Sequence, residues 1–396
     1  MTASPILFVS HEAMPTGAPY LLLHLLRWLR DNSTLDFKIA LMKTGPLLAK
    51  FAELAPVVVF ERPADSFLGF AAEHIRPYRL RGMLDRATLR RSLGGDRLAL
   101  VYSNTLVNGK LLASLPDQLC PVISHVHELD YVLRRSTTPA HLHYTLSRTS
   151  QFIAGSGMVA RNLAERHAVP AKRIEIVHEF IPGAELNAVE LGKAGERVRA
   201  ELGIAQQAFV AGAAGTVDWR KGYDLFVPLA LSVLRTGRDT DMHFVWVGSA
   251  WDRHIPVEIA YDLQKLGLEK RVHFVGHRDN YLEYLSMFDA LCLTSREDPF
   301  PLVVLEAAAL GKPIICFAEG GGAPEFVEDD CGFVVPYLDV PTMAARLLEL
   351  MADVDVRHRF GRRGAVKVRE RHDVTVAAPR IAEIIQRAIA SSRRPA

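Results

Sequence analysis

ALCLTSREDPFPLVVLEAAALGKPIICF, residues Ala290 to Phe317, reads as a strand, a loop, a helix and a second strand. ALCLTS is an apolar run of strand length, and REDPFP carries the charge and proline of a connection. LVVLEAAALG is rich in helix formers and closes on Gly311, the expected C′ glycine. PIICF then returns to strand character. Two wholly apolar strands joined through a helix form a βαβ unit, whose parallel strands are covered on both faces. One residue is out of place. Glu306 sits in the apolar helix, eight positions after Asp298 in the loop. Its flanks, VVL and AAAL, are too apolar for a solvated face. Both carboxylates are therefore expected at the strand's C-terminal end, where they can accept hydrogen bonds from vicinal hydroxyls. The structural alternative is a cap plus a solvent-facing glutamate.

The same alternation runs outward in both directions. ILFVS, FKIALM, VVVF, LALVY, VISHV and FIAGS precede it, and FVAGAAG, HFVWVGS, VHFVGH and GFVVP complete the second half. Amphipathic segments such as LLLHLLRWLR lie between most of them. The pattern predicts α/β architecture with two facing, doubly wound, Rossmann-like domains and a ligand cleft between them. The expected boundaries are residues 1–185, a polar linker 186–205, a second domain 206–375, and a C-terminal helix and tail 376–396.

With 396 residues, 49% hydrophobic and 23% charged, the chain suits two globular domains. A net charge of +2 supplies no field that would favour nucleic acid. The four cysteines form no CxxC pair and lie in or beside apolar segments, which predicts reduced thiols. PILFV is too short for a signal peptide, and no run reaches the eighteen apolar residues of a span, so a cytoplasmic protein is expected. The segment 76–97 carries seven arginines against two acids. It is either a solvated helical face or a basic patch for peripheral contact with anionic lipid at the inner membrane face. The basic run 357–372 reads as a solvated helix.

Several motifs end strands. GSGMVA (155–160) matches the dinucleotide pattern G-x-G-x-x-A, with Glu175 and Glu179 downstream, so an NAD-dependent oxidoreductase is one reading; a plain glycine turn is the other. GTVDWRKG (215–222) offers Gly215 for close backbone approach and Arg220 and Lys221 for a diphosphate, unless both cations merely face water. In SHEAMPTGAPY, Thr16, Gly17 and Ala18 lead from the first strand into a helix and can cradle an anion or admit a sugar closely; an ordinary connection is the other reading. His125 and His127 share a face at the end of VISHV; two histidines at this spacing are a poor zinc signature, so a hydrogen-bonding or catalytic His127 is the better functional reading. EGGGAPEFV (319–327) is a tight loop feeding a helix.

In order and on these elements, the motifs resemble the retaining nucleotide-sugar glycosyltransferases of family four, which have the GT-B fold. The resemblance covers nearly the whole chain and is strongest over 205–340. It implies that the C-terminal helix returns to the first domain. Lys221 stands at the family's lysine position, while Thr216 replaces its usual arginine. Asp298 and Glu306 resemble the E-x7-E motif with a shorter first acid, which implies Asp298 near the donor sugar and Glu306 on the ribose diol. Gly321, Gly322, Pro324 and Glu325 match the G-G-x-P-E loop. The resemblance further implies His127 beside the donor sugar, Gly17 and Ala18 on the acceptor side, and Asn104 and Ser156 as polar cleft residues. Val275 and His277 fall beside the base, and Pro301 and Leu302 on the donor loop. The implied reaction moves a sugar from a nucleoside diphosphate to a glycan, lipid-linked glycan or small-molecule hydroxyl, with retention. No metal or other cofactor is expected. A GT-B-fold epimerase, hydrolase or non-catalytic binding subunit would keep the same residues.

Overall fold

The computed structural model describes residues 4–60, 97–115, 120–183, 186, 188–236, 241–250 and 256–392. The basic segment read over 76–97 lies outside the described residues, apart from Arg97. The chain divides into two compact units, Met1–Glu179 with Val374–Ala396, and Phe180–Asp373.

The first unit is built on a seven-stranded parallel sheet in the order β3-β2-β1-β4-β5-β6-β7. Its strands are β1 (Ile6–Ser10), β2 (Phe37–Leu41), β3 (Val57–Val59), β4 (Leu100–Ser103), β5 (Val122–Val126), β6 (Gln151–Ala154) and β7 (Ile174–Ile176). β7 had no counterpart in the sequence reading, because the strand is short, with Ile174 and Glu175 only partly buried and Ile176 exposed. The C-terminal helix, Val374–Ser392, belongs to this unit and packs on the Gly17–Asn32 helix. Arg387 grips Glu175 through two bonds of 2.7 and 2.8 Å, and Arg380 donates to the Ile176 carbonyl at 3.2 Å.

The second unit holds six parallel strands in the order β10-β9-β8-β11-β12-β13. They are β8 (Phe209–Ala214), β9 (Met242–Val247), β10 (Val272–Gly276), β11 (Ala290–Leu293), β12 (Ile314–Phe317) and β13 (Gly332–Val335). Side chains alternate strictly across this sheet. Phe244, Trp246, Ala290 and Cys292 join one core cluster, and Val245, Val247, Leu291 and Leu293 the other. Burial of both faces is why the strands read as unbroken apolar runs. In each sheet the order reverses beside the unit's first strand, at β1/β4 and at β8/β11, and loops that leave such a pair diverge and leave room for ligands.

Two polar stretches are more buried than their sequence suggests. The stretch 186–205, read as a polar and helical-looking linker, holds the helix Ala188–Glu201, which belongs to the second unit and has Ala194 and Val198 buried. Arg199, only 8% exposed, reaches under it to the carbonyls of Ala208 (2.7 Å) and Met287 (2.6 Å) and to Asp289 (2.8 Å). This buried charge fastens the helix to the sheet. The basic run 357–372 is helical, as expected, within Val354–Arg371, but it is not wholly solvated. Lys367 is completely buried, donates to the Phe326 carbonyl at 2.9 Å, and pairs with Glu328 (2.9 Å) and Asp330 (2.5 Å). Although burial works against ionisation, the bonds from Lys367 and Arg363 hold the Asp330 carboxyl below the usual range.

Replacing Lys367 by Met should lower unfolding stability at neutral pH by about 2 kcal/mol, since both carboxylates lose a partner but keep some access to water. Because the Asp330 pKa is depressed, its contribution is present above the ordinary aspartate value and is lost as pH falls through the folded-state value. The gap between wild type and Lys367→Met in denaturant melts should therefore narrow below about pH 4; a gap that stays constant down to pH 2 would contradict this linkage.

Candidate functional site

The loops after β8 and β11 lie side by side because the strands do. After β8, Gly215 donates to the Val247 carbonyl (2.9 Å) and accepts from the Trp246 indole N–H (3.1 Å), which pins the loop to β9. Thr216, half-buried, follows in the same loop. Asp218 caps a 3-10 turn, Trp219–Lys221, by accepting from the Arg220 N–H at 2.8 Å. That turn is stitched to the loop after β11: Thr294 Oγ1 donates to the Lys221 carbonyl (3.2 Å), and the Arg296 N–H to the Arg220 carbonyl (2.8 Å).

This stitching brings Lys221, Arg220 and Asp298 together. Lys221 Nζ hydrogen-bonds Asp298 Oδ2, and the Arg220 guanidinium lies 3.5 Å from Asp298 Oδ1 while donating to the Glu297 carbonyl at 2.8 Å. Asp298 is 5% exposed. Burial pulls the Lys221 ammonium below its ordinary value; Asp298 opposes the shift and Arg220 adds to it. The GGGAPE loop holds the backbone of the same aspartate. Asp298 N–H donates to the Gly320 carbonyl (2.7 Å), and Gly322 N–H to the Asp298 carbonyl (3.1 Å). Between them Gly321 takes φ +135°, and a Cβ there would fall on the Asp298 carbonyl. Glycine is therefore required at that position.

Pro301 precedes the Leu302–Ala309 helix, and Glu306 lies one turn into it, as the sequence implied. Glu306 does not join the cation cluster. Its partner is the Tyr281 hydroxyl, which donates to Oε1 at 2.8 Å. Burial pushes the Glu306 carboxyl up to about 7, with the tyrosine bond pulling the other way. Val275 lies in β10, and His277 just beyond it is exposed and paired with Asp279 at 3.2 Å.

A second cluster occupies the first unit, past the ends of β4 and β5. His127 Nδ1 meets Glu179 Oε1 at 2.6 Å, and its Nε2 meets Asn104 Oδ1 at 3.2 Å. Asn104 Nδ2 donates in turn to the Ala18 carbonyl (2.7 Å), in the first turn of the helix that begins at Gly17. Asn104, Ala18 and His127 are thus one network, while a Cβ on Gly17 would meet nothing within 4 Å. Ser156, fully buried, spends its hydroxyl oxygen as the N-cap of the Gly157–Glu165 helix, accepting from Val159 N–H at 3.1 Å. Beside His127, the Tyr102 hydroxyl shares a 2.7 Å hydrogen bond with His125 Nδ1.

Among the described residues, His125, His127 and Glu179 are the group close enough together to hold a metal ion. The contact between His127 and Glu179 argues against one. With metal–ligand bonds of about 2.0–2.1 Å, donors 2.6 Å apart would subtend only about 80°, far below a tetrahedral angle. That distance is a hydrogen bond. Sequence reading missed Tyr281 and the role of Arg296, whose guanidinium lies over Trp219 (4.7 Å) and clamps Asp224 through two bonds of 2.7 Å. No motif marked either residue. Glu179 was visible only as an acid downstream of GSGMVA.

The family described as Glycosyl transferases group 1 matches residues 195–367. N-acetyl-alpha-D-glucosaminyl L-malate synthase of Bacillus anthracis is 35% identical over 109 residues, 27% of this chain and 28% of that protein. D-inositol 3-phosphate glycosyltransferase of Nocardia farcinica is 27% identical over 223 residues, 55% of this chain and 48% of its own length. The matches thus span less than half the length of these two relatives. The crystal structure of Anabaena HepE in complex with UDP-glucose superposes with a TM-score of 0.76 at 22% identity, covering 97% of this chain and all of that one. WaaG, a glycosyltransferase involved in lipopolysaccharide biosynthesis, gives 0.70 at 15%, covering 96% and 99%. Residues 195–367 of the second unit are therefore a group 1 glycosyl transferase domain, in a chain that has the GT-B fold.

Proposed function

We propose that this chain transfers a sugar from a nucleoside diphosphate donor to a hydroxyl acceptor, with retention at the anomeric carbon. The carrying observation is the placement of Lys221 and Arg220 on Asp298, between the loops that leave β8 and β11. As the anomeric C–O bond to the diphosphate breaks, negative charge builds on the leaving phosphate. Cations already held in place stabilise that charge most in the transition state. Lys221 takes this role, Arg220 assists where the resemblance expects an arginine at Thr216, and no metal ion is invoked. Asp298 orients both cations and faces the donor sugar. The acceptor oxygen forms the new bond on the face the diphosphate leaves, and its proton passes to the departing phosphate oxygen.

Glu306 is assigned the ribose diol, which a carboxylate can accept from twice, and His127 the donor sugar's oxygens. The UDP-glucose held by HepE favours a uridine donor, and the names of the curated relatives favour transfer over epimerisation. A glycan or lipid-linked glycan acceptor is in keeping with WaaG. The dinucleotide reading of GSGMVA loses ground physically, since Ser156 is committed to a helix cap and the Glu179 carboxylate lies against Gly155. An anionic pyrophosphate would meet that carboxylate.

A thermal-shift screen of UDP-, GDP- and ADP-sugars tests the reading, because a true donor stabilises the folded chain by mass action. Stabilisation by NADH and by none of the sugars would overturn it. With the donor in hand, Lys221→Ala should lower kcat about 100-fold or more while leaving the circular dichroism spectrum unchanged; near-normal turnover would remove Lys221 from its role.

The donor's affinity should also depend on pH through Glu306. Its ionised form binds the diol, and its carboxyl titrates near 7, so affinity should fall as pH drops below about 7, approaching tenfold per unit. Calorimetric titration of a nucleoside diphosphate between pH 5.5 and 8.5 reads this directly. Glu306→Gln should bind more weakly at pH 8 and lose the slope.

A further inference from the structure

We propose that Glu179 is the positioning residue that keeps His127 doubly protonated, so that His127 presents a charged N–H to the donor during transfer. This rests on the reading of His127 given above.

The argument begins with the amide of Asn104. Its Nδ2 is committed to the Ala18 carbonyl, so the atom turned to His127 is the oxygen. Nε2 of His127 therefore faces an acceptor. Nδ1 faces a second acceptor, the Glu179 carboxylate, at 2.6 Å. A neutral imidazole has one donor and one acceptor nitrogen and satisfies only one of these contacts; the imidazolium satisfies both. The His127 side chain is 6% exposed and that of Glu179 2%, so water does little to screen the pair.

The surrounding charges agree. Burial works against the charge, but Glu179, through its charge and its hydrogen bond, and Glu128 raise the His127 pKa above its ordinary value. Glu128 itself receives bonds from Thr105 Oγ1 and from the Leu106 and His127 N–H groups. The neighbouring ring, His125, lies 4.1 Å away centroid to centroid. Burial and the His127 charge both push it well below its ordinary value, so it stays neutral; Tyr102 bonds to it and stays protonated for the same reason of burial. Only one of the two histidines carries charge.

Gly155 supplies the third observation. A Cβ at this position would land on Glu179 Oε1. Its backbone is not in the left-handed region, so an L side chain is excluded by the carboxylate alone. The first glycine of GSGMVA, which by its pattern suggested a pyrophosphate turn, is therefore the space in which Glu179 sits. Of the two His127 bonds, that to Asn104 is the longer. Its Nε2–H is the one that can turn to a sugar or phosphate oxygen, while Glu179 holds the ring and its charge from behind.

The test uses Glu179→Gln, which keeps shape and removes charge, and Gly155→Ala, which leaves Glu179 in place chemically but displaces it. His127 is titrated in the full chain by NMR of its ring signals, which needs no turnover. The wild-type midpoint should lie above about 6.5, and both variants should lower it by about one unit or more. The basic limb of the kcat/KM profile with the nucleotide-sugar donor should move down with it, which costs about tenfold or more at pH 8. A midpoint that Glu179→Gln leaves in place, even if melting temperature falls, reduces Glu179 to a structural residue and overturns the proposal. So does a shifted midpoint with an unmoved rate profile. A wild-type chain that turns over no nucleotide sugar refutes the transfer reading and, with it, the catalytic part of this one; the NMR titration still decides whether Glu179 holds the proton on His127.

Discussion

A buried carboxylate needs partners, and Asp298, 5% exposed and carried on the loop after β11, has two cations, both on the turn that follows the neighbouring strand β8. The ion pair is thus a consequence of strand order. β8 and β11 are adjacent only because the chain, having laid β8, β9 and β10 in one direction, returns to the other edge of β8 for β11. The loops after these strands then meet, and bonds from the Thr294 hydroxyl and the Arg296 N–H to main-chain carbonyls fix them before any side-chain charge is counted. The GGGAPE loop adds a third constraint by clasping the Asp298 backbone from β12. In the proposed transfer, a lysine fixed from three sides would spend little conformational entropy on a phosphate, which is what electrostatic preorganisation requires.

The two carboxylates of the Asp298-x7-Glu306 motif look alike in sequence and have opposite surroundings. Asp298 is placed among cations, whereas Glu306 has a tyrosine hydroxyl and apolar neighbours. A group held among positive charges is suited to orient them; a carboxyl poised near neutrality is suited to ionise when a diol arrives to hydrogen-bond it. The seven-residue spacing sets one acid in the loop and the other a turn into the helix, and the helix carries the second away from the cations. Their surroundings differ for that reason.

Much of this was legible. The strands of the second unit were readable because both sheet faces are covered, so hydrophobic runs and strands coincide, and Gly215, Lys221, Asp298 and Glu306 follow strand ends where a doubly wound sheet puts its chemistry. What stayed hidden has a common cause. Arg199 and Lys367 are polar residues inside polar stretches, and nothing local distinguishes a buried cation from a solvated one; only distant carbonyls and carboxylates do. β7 was missed because three residues at a sheet edge, two half-buried and one exposed, carry little hydrophobic signal. Tyr281 is 25 residues from Glu306, and no periodicity links them.

GSGMVA shows the same limit from the other side, as a motif with a strong local pattern and a non-local cause. A glycine is permitted wherever backbone must approach something closely, and the sequence names the permission without naming what approaches. In a dinucleotide fold it is a pyrophosphate. Here it is a carboxylate 24 residues further on, which meets His127 just past the end of the neighbouring strand. The two cases differ in sign. An anion-binding turn keeps its N–H groups for a ligand, whereas this one commits Ser156 to capping and admits an acid from within the chain. A glycine fingerprint followed by an acid at the end of the next strand therefore has two electrostatic meanings, and the residue facing that acid decides between them. Where a buried histidine faces it, the acid is placed to hold a proton on the ring.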